Sequence, residues 1–195
     1  MKIYIIKVAL RGVSPMIWRR LRISGNTSLA SLHYIIQIIQ GWSDDHLHLF
    51  HIYGKDYGIY KPGGMGFSDN AYERVIDDFS FDVGDRFSYE YNFNENWLHD
   101  IRIEAIEKST LRKKTPFCLS GNGMPGVTEF DYYDNLLDVL KIIVDENDTA
   151  TTVGEFRRRI KELDTLRLNR KKANRALARL DLEDPTIEQQ FFVIG

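Results

Sequence analysis

The sequence predicts an α+β fold whose mixed sheet is largely antiparallel. Residues 2–10 and 17–23 are rich in β-favouring side chains, with a Gly- and Pro-containing turn between them. A helical apolar pattern follows directly. Residues 86–93 and 97–106 then alternate between apolar and polar side chains, as two half-buried strands of one hairpin would.

The first helix is predicted from cap to cap. Thr27 or Ser28 can cap its N-terminus, and Gly41 can end it in the left-handed conformation. Between these points apolar residues recur at helical spacing and form one face, which consists of Leu29, Leu32, Ile35, Ile36 and Ile39. The order strand, strand, helix predicts a β-grasp-like unit at the N-terminus.

The later elements are predicted from the same patterns. They are a strand at 46–53, loops at 61–70 and 119–129, a helix at 131–146, a helical region from Thr152 to about Leu180, and a C-terminal strand. We predict an α+β domain over residues 1–147 and a basic helical extension over residues 148–195 that packs on the same domain.

The composition indicates a globular, non-membrane protein. The chain has 195 residues, 43% of them hydrophobic, and a net charge of −2. Its one cysteine, Cys118, excludes an intramolecular disulfide and therefore a disulfide-stapled secreted fold. The N-terminus lacks the features of a signal peptide, and no apolar stretch approaches the roughly 20 residues of a membrane helix. We therefore expect a cytoplasmic protein.

Positive charge is concentrated near the C-terminus. Residues 155–180 contain ten Lys or Arg and three Asp or Glu. Such a stretch predicts a contact surface for nucleic acid or for an acidic protein, and a solvated helix face is the alternative. The predicted nucleic-acid-binding residues are Arg157, Arg158, Arg159, Lys161, Arg167, Arg170, Lys171, Lys172 and Arg175.

Histidines and the cysteine suggest a second kind of site. His46 and His48 lie two apart on a predicted strand, so their imidazoles share a face, and His99 faces the apolar side of its own strand. With Cys118 these residues form a candidate site for a divalent metal such as zinc. The alternative is that they are core side chains held by ordinary hydrogen bonds.

No motif identifies an enzyme. The sequence has no Gly-x-Ser-x-Gly elbow and no phosphate loop with its Lys-Ser/Thr step. The predicted function is a non-enzymatic binding module that uses the basic region. The alternatives are a metal-binding protein or metal-assisted hydrolase that uses the strand histidines, and a protein-interaction scaffold. The sequence does not determine the oligomeric state.

An ordered set of motifs spans about residues 2–140. These are Pro-x-Ile-Trp-Arg-Arg, a Leu-His helix that ends in Gly-Trp, His-Leu-His-x-Phe, and an aromatic segment with Trp-x-His. They contain Trp18, Arg19, Arg20, His46, His48, Tyr91, Trp97 and His99. Because neighbouring strand residues alternate, Arg19 and Arg20 should face opposite sides of their strand.

Together these motifs resemble the plasmid pRiA4b ORF-3-like family. The chain departs from the usual pattern at Asn92, Asn94 and Glu95, where the family typically has Asp, Gly and Asp. The resemblance implies no established activity. It implies an association with plasmids and insertion elements, which favours work linked to nucleic acid.

Overall fold

A single mixed sheet is the largest element of the described structure. The computed structural model describes residues 2–14, 16–59, 67, 69–108, 113–123 and 168–181. Within these ranges the sheet has eight strands, which are β1 (Lys2–Leu10), β2 (Trp18–Ser24), β3 (His48–Ile52), β4 (Lys55–Gly58), β5 (Asp69–Asn70), β6 (Arg86–Tyr91), β7 (Trp97–Lys108) and β8 (Phe117–Asn122). Their order is β5-β4-β3-β6-β7-β1-β2-β8, and only the β4–β5 pair is parallel. The mixed, largely antiparallel sheet is therefore confirmed.

Helix α1 (Leu29–Gln40) packs its side chains into the core on one face of this sheet. Ser28 caps its N-terminus by accepting a hydrogen bond of 3.0 Å from the Ser31 N–H. The five predicted apolar positions are all at most 1% exposed. His33 and Gln37 are fully buried as well, so the helix is enclosed on more than its apolar face. Buried polar side chains of this kind need partners inside the protein.

Donors from three places close the C-terminus of α1. Gly41 has a φ of 73°, and the N–H groups of Gly41 and Trp42 donate to carbonyls of the preceding turn. The third donor is the guanidinium of Arg19 on β2, whose Nε lies 3.0 Å from the Ile39 carbonyl oxygen. The last four carbonyls of any helix have no partner within that helix, and these three donors supply hydrogen bonds to them.

Arg19 is 0% exposed and connects three elements. Besides α1, its Nη1 donates to the carbonyls of Trp18 and Asn122, at 2.9 and 2.7 Å, and its Nη2 donates to that of Gly123 at 3.4 Å. Burial lowers the pKa of Arg19 to about 10, so the side chain stays charged at neutral pH. The charge faces carbonyl oxygens and the negative end of the α1 dipole.

Arg20 points to the opposite face of β2. It forms a bidentate ion pair with Glu104 of β7 and donates to Ser120 Oγ at 3.1 Å. Its guanidinium also lies 5.0 Å from the centre of the Trp18 ring. The prediction that the two arginines face opposite sides of the strand is confirmed.

Strand β8 occupies part of the segment 119–129, for which the sequence predicts a loop. The structure corrects this prediction up to Asn122, because β8 pairs with β2. Gly121, which favoured a loop, is instead required by close packing between the strands. A Cβ at this position would lie 2.8 Å from the Trp18 carbonyl oxygen.

A second helix, α2 (Arg170–Leu177), covers the β8 edge of the sheet. Ala173 and Leu177 are its buried residues, and the helix contacts both β8 and α1. It is the described part of the helical region predicted from Thr152 to about Leu180. Neither described helix is long and apolar enough to cross a membrane.

Some predicted elements lie outside the described residues. These are the helix at 131–146, the helical region before residue 168, the C-terminal strand, and the boundary between the two predicted domains at 147/148. Most of the predicted loop at 61–70 is also outside them, although Asp69–Asn70 forms the short strand β5.

Replacing Arg19 by methionine should lower the free energy of unfolding by about 3 kcal/mol, because several buried carbonyls lose their donor. Arg20→Met is the matched control at the next position. It removes a partly exposed ion pair and should cost about 1 kcal/mol or less. Urea denaturation followed by circular dichroism measures both changes, and equal losses would contradict the anchoring role of Arg19.

Candidate functional site

Helix α2 is fixed to the edge strand β8 by side-chain hydrogen bonds. Asn174 pairs with both backbone groups of Cys118: its Oδ1 accepts from the N–H at 2.7 Å, and its Nδ2 donates to the carbonyl at 3.0 Å. Arg170 donates to the Leu119 carbonyl at 2.6 Å. These bonds occupy backbone groups that an open edge strand would present to another chain. They also set the distance between α2 and the sheet.

A groove of about 930 Å³ lies between α2 and the segment that leads into β8. Apolar side chains contribute to its wall, among them the half-buried ring of Phe117 and the buried Leu177. Its charged lining among the described residues is entirely basic and consists of Lys114, Arg170, Lys171 and Arg175. The groove therefore combines apolar surface with four exposed cations.

The groove contains part of the predicted basic site. Arg170, Lys171 and Arg175 line it, whereas Lys172 is exposed elsewhere on α2. The other predicted cations lie outside the described residues, namely Arg157, Arg158, Arg159, Lys161 and Arg167. Lys114 was missed by the sequence reasoning. The available signal was the short basic run Arg112-Lys113-Lys114 shortly before β8, which is too short to stand out in a charge count.

The structure does not bring together the four residues of the predicted metal set. His48 lies on β3 and His99 on β7, with β6 between them. His46 is exposed and precedes β3, which begins at His48 rather than at residue 46. Cys118 lies on β8, three strands beyond β7. Since adjacent strands are about 4.8 Å apart, Cys118 is roughly 14 Å from His99 across the sheet.

A different set of side chains converges in the core. His33 of α1, Asp44 of the following loop and His48 of β3 have potential ligand atoms that all lie within 4.8 Å of one another, and all three residues are buried. The sequence placed His33 only in a family motif and did not single out Asp44. The available signal was the polar pair His33 and Gln37, which stand one helical turn apart in a mostly apolar helix.

A closed ring of hydrogen bonds joins His33 and Asp44 to Gln37 and Tyr89. The Asp44 backbone N–H donates to Gln37 Oε1 at 3.0 Å, which determines the orientation of that amide. Gln37 Nε2 therefore donates to the Tyr89 hydroxyl at 3.0 Å. When His33 is neutral, Tyr89 donates to its Nδ1 at 2.9 Å and its Nε2–H donates to Asp44 Oδ1 at 2.8 Å. The Asp44 N–H thus orients the Gln37 amide, and the Asp44 carboxylate, which accepts, makes His33 Nε2 the donor.

The aromatic residues of the family motifs pack beside this ring. Trp42 stacks on Tyr91 with 4.9 Å between ring centres, and its ring lies 4.7 Å from that of Trp97. His99 meets Trp42 edge-on at 5.3 Å. These separations leave no room for a ligand between the rings. The described contacts of Tyr91, Trp97 and His99 are those of a core.

His99 is fully buried, and burial lowers its pKa to about 4. A hydrogen bond of 3.0 Å from its Nδ1–H to the Trp97 carbonyl opposes this shift but does not overcome it. The imidazole is therefore neutral at pH 7. In the unfolded chain the ordinary histidine pKa is about 6.5. Because His99 binds a proton more readily in the unfolded chain, lowering the pH lowers the free energy of unfolding.

His99 should therefore make stability fall between pH 6.5 and pH 4. In that window the unfolded chain binds a proton at His99 that the folded chain excludes. The free energy of unfolding is therefore about 3 kcal/mol lower at pH 4 than above pH 6.5. His99→Asn keeps an N–H donor near the Nδ1 position and should remove most of this loss. Urea denaturation at several pH values measures it. The exposed control His46→Asn should retain the loss, and an unchanged slope in His99→Asn would contradict the prediction.

Comparisons with known proteins agree with the motifs. The family described as "Plasmid pRiA4b ORF-3-like protein" matches residues 2–172. An uncharacterised protein of Sinorhizobium fredii, y4hQ, is 30% identical over 102 residues, which span 51% of this chain and 52% of that protein. A crystal structure of a protein of unknown function from Methanosarcina mazei Go1, MM3350, aligns with a TM-score of 0.61 and 28% identity, over 78% of this chain and 87% of that one. The chain belongs to the plasmid pRiA4b ORF-3-like family.

Proposed function

We propose that this chain is a nucleic-acid-binding module that contacts the phosphate backbone through the groove between α2 and β8. The observation that most supports this proposal is the positive charge of the groove. Lys114, Arg170, Lys171 and Arg175 line it, and no carboxylate is among its described lining residues. Clustered cations bind a polyanion strongly because they release its condensed counterions.

The walls of the groove favour a single-stranded nucleic acid as the ligand. The half-buried Phe117 and Leu119 give the strand side its apolar surface, whereas Leu177 and Leu180 line the helix side but are buried. Bases of a single strand can pack on such apolar and aromatic surface while the phosphates meet the cations. A duplex keeps its bases stacked inside and gains only the charge contacts. An acidic peptide offers charge without the regular succession of flat bases and phosphates that a single strand presents.

Positive charge is concentrated around the groove, although the chain as a whole carries a small negative charge. The net charge is −2, although residues 168–181 contain five Lys or Arg and a single carboxylate, Asp181. At physiological salt, charges act over about 8 Å. A nucleic acid therefore meets local positive charge at residues 168–181 although the net charge of the chain is negative.

Two observations on Cys118 support a binding role over a catalytic one and a cytoplasmic location. Its side chain is buried, and burial raises the pKa of its thiol, which argues against a thiolate nucleophile. A single buried thiol also suits a reducing compartment. The link to mobile elements, the β-grasp-like unit, the helical C-terminal part, the scaffold function and the metal-assisted hydrolase stay predictions.

The double variant Lys171→Glu/Arg175→Glu should weaken binding of a labelled single-stranded oligonucleotide at least tenfold at 50 mM salt, because two of the four groove cations are reversed. For the native chain, four phosphate contacts predict an affinity about 50-fold lower at 200 mM than at 50 mM salt. Fluorescence anisotropy at both salt concentrations measures these effects.

The matched control is Lys172→Glu/Arg179→Glu, which makes the same charge change on exposed positions outside the groove lining. It should bind within about threefold of the native chain, since only long-range charge is altered. Equal weakening by both variants would assign the binding to general charge. No binding of single strands at 50 mM salt, or preferential binding of an acidic peptide or a duplex, would overturn the proposal.

A further inference from the structure

We propose that His33, Asp44 and His48 bind one divalent transition-metal ion, with zinc as the first choice. The three side chains come from α1, the loop after it, and β3, so an ion at this position would join three elements. Two imidazoles and one carboxylate are a donor set that suits zinc and iron(II) and disfavours magnesium and calcium. The site is separate from the basic groove and does not depend on the function proposed for it.

The distances are close to those of a metal centre. Ligand atoms of a tetrahedral zinc ion, with bonds of about 2.1 Å, lie about 3.4 Å apart. His33 Nε2 and Asp44 Oδ1 are 2.8 Å apart, and the His48 ligand atom lies within 4.8 Å of both. Two ligand atoms are therefore at hydrogen-bond separation, and the third needs to approach by about 1.5 Å at most.

Partners that would orient two of the ligands are already in place. A histidine that binds a metal through one nitrogen usually donates its other N–H to an oxygen, which sets the ring orientation. His33 Nδ1 lies 2.9 Å from the Tyr89 hydroxyl, and Gln37 holds both Tyr89 and the Asp44 backbone N–H. The ring of hydrogen bonds described above thus supplies the supporting shell of the site.

Metal binding at His33 rearranges the hydrogens of this ring. Without an ion, His33 Nε2 carries a hydrogen and donates it to the Asp44 carboxylate. To bind an ion at Nε2, the imidazole must carry that hydrogen on Nδ1 instead, from which it donates to the Tyr89 oxygen. The Tyr89 hydroxyl, which donates to Nδ1 in the metal-free ring, then accepts from it, and its own hydrogen turns away from the imidazole.

His48 must turn for the centre to form. Its ring is stacked on that of His33, with centres 3.5 Å apart and planes 10° from parallel. An ion lies in the plane of each imidazole that binds it, and two parallel planes do not share an ion. Rotation of the His48 ring therefore accompanies binding. Because this rotation breaks the stack, the ring signals of both histidines report directly on the ion.

The burial of the ligands determines what the ion does. His33, Asp44 and His48 are 0%, 4% and 3% exposed, so an ion between them is shielded from substrates. It would instead fix the loop that follows α1 against β3. A ligand that binds only the folded state raises its melting temperature. Three protein ligands leave one tetrahedral position to a water molecule, and their burial closes that position to substrates, so the assignment is to a structural metal centre.

The test uses the full chain, purified without an affinity tag that binds metals. Elemental analysis should find about one zinc or iron per chain, and chelation should lower the melting temperature by about 5 °C or more. Added Co²⁺ should give the visible absorption of a bound ion and shift the ring resonances of both histidines. Tyr89→Phe should weaken Co²⁺ binding about 10- to 100-fold.

The variants Asp44→Asn and His48→Phe should lose the ion. Asp44→Asn retains the shape of the side chain, so it is informative even if His48→Phe fails to fold. His46→Ala, Cys118→Ser and His99→Asn are the controls, because they alter the residues of the alternative set. Less than about 0.1 ion per chain with no thermal shift on adding Zn²⁺ would overturn the assignment. Full retention of the ion by Asp44→Asn, or its loss in a control variant, would also do so.

Discussion

Helix α1 is buried along almost its whole length, with Ile38 alone among its residues partly exposed. A helix enclosed on this scale brings its polar side chains and its free C-terminal carbonyls into the core, where each needs a partner. Arg19 donates a hydrogen bond to the Ile39 carbonyl at the C-terminus of the helix. The buried side chains of His33 and Gln37 find their partners in the hydrogen-bonded ring that includes Asp44 and Tyr89. Both arrangements use groups from the sheet, so the helix and the sheet cannot separate without exposing or orphaning them. The polar core is therefore a consequence of helix burial, and the proposed metal centre is a further use of the same groups.

The groove follows from a separate need, which is the protection of a sheet edge. Strand β8 is the last strand in the described order, and α2 covers it through the paired hydrogen bonds of Asn174 with Cys118. With Ala173 and Leu177 turned inward, the basic side chains of α2 remain outside. Lys171 and Arg175 are one helical turn apart, so they face the same groove. The contact that holds α2 against β8 therefore also directs basic side chains of α2 into the groove.

Features that depend on neighbours in the chain were predicted well. Ser28 and Gly41 bound α1 as expected, because capping needs only a few consecutive residues. Strand alternation placed Arg19 and Arg20 on opposite faces for the same reason. The loop predicted over the start of 119–129 was wrong, because the pairing of β8 with β2 outweighs the local preference of Gly121. A local sequence pattern carries no information on pairing between strands that are far apart in the chain.

Local patterns along the chain predicted β1, β2, α1, β6 and β7, the family, and the excess of positive charge near the C-terminus, since composition, periodicity and ordered motifs carry these features. Tertiary structure alone decided which side chains meet. It placed Cys118 far from His99, left His46 exposed, and brought Asp44 to His33 from beyond the end of the helix. It also added Lys114 to the groove. The physical reason is that the order of strands in a sheet and the path of a loop depend on long-range packing, which no spacing along the chain records.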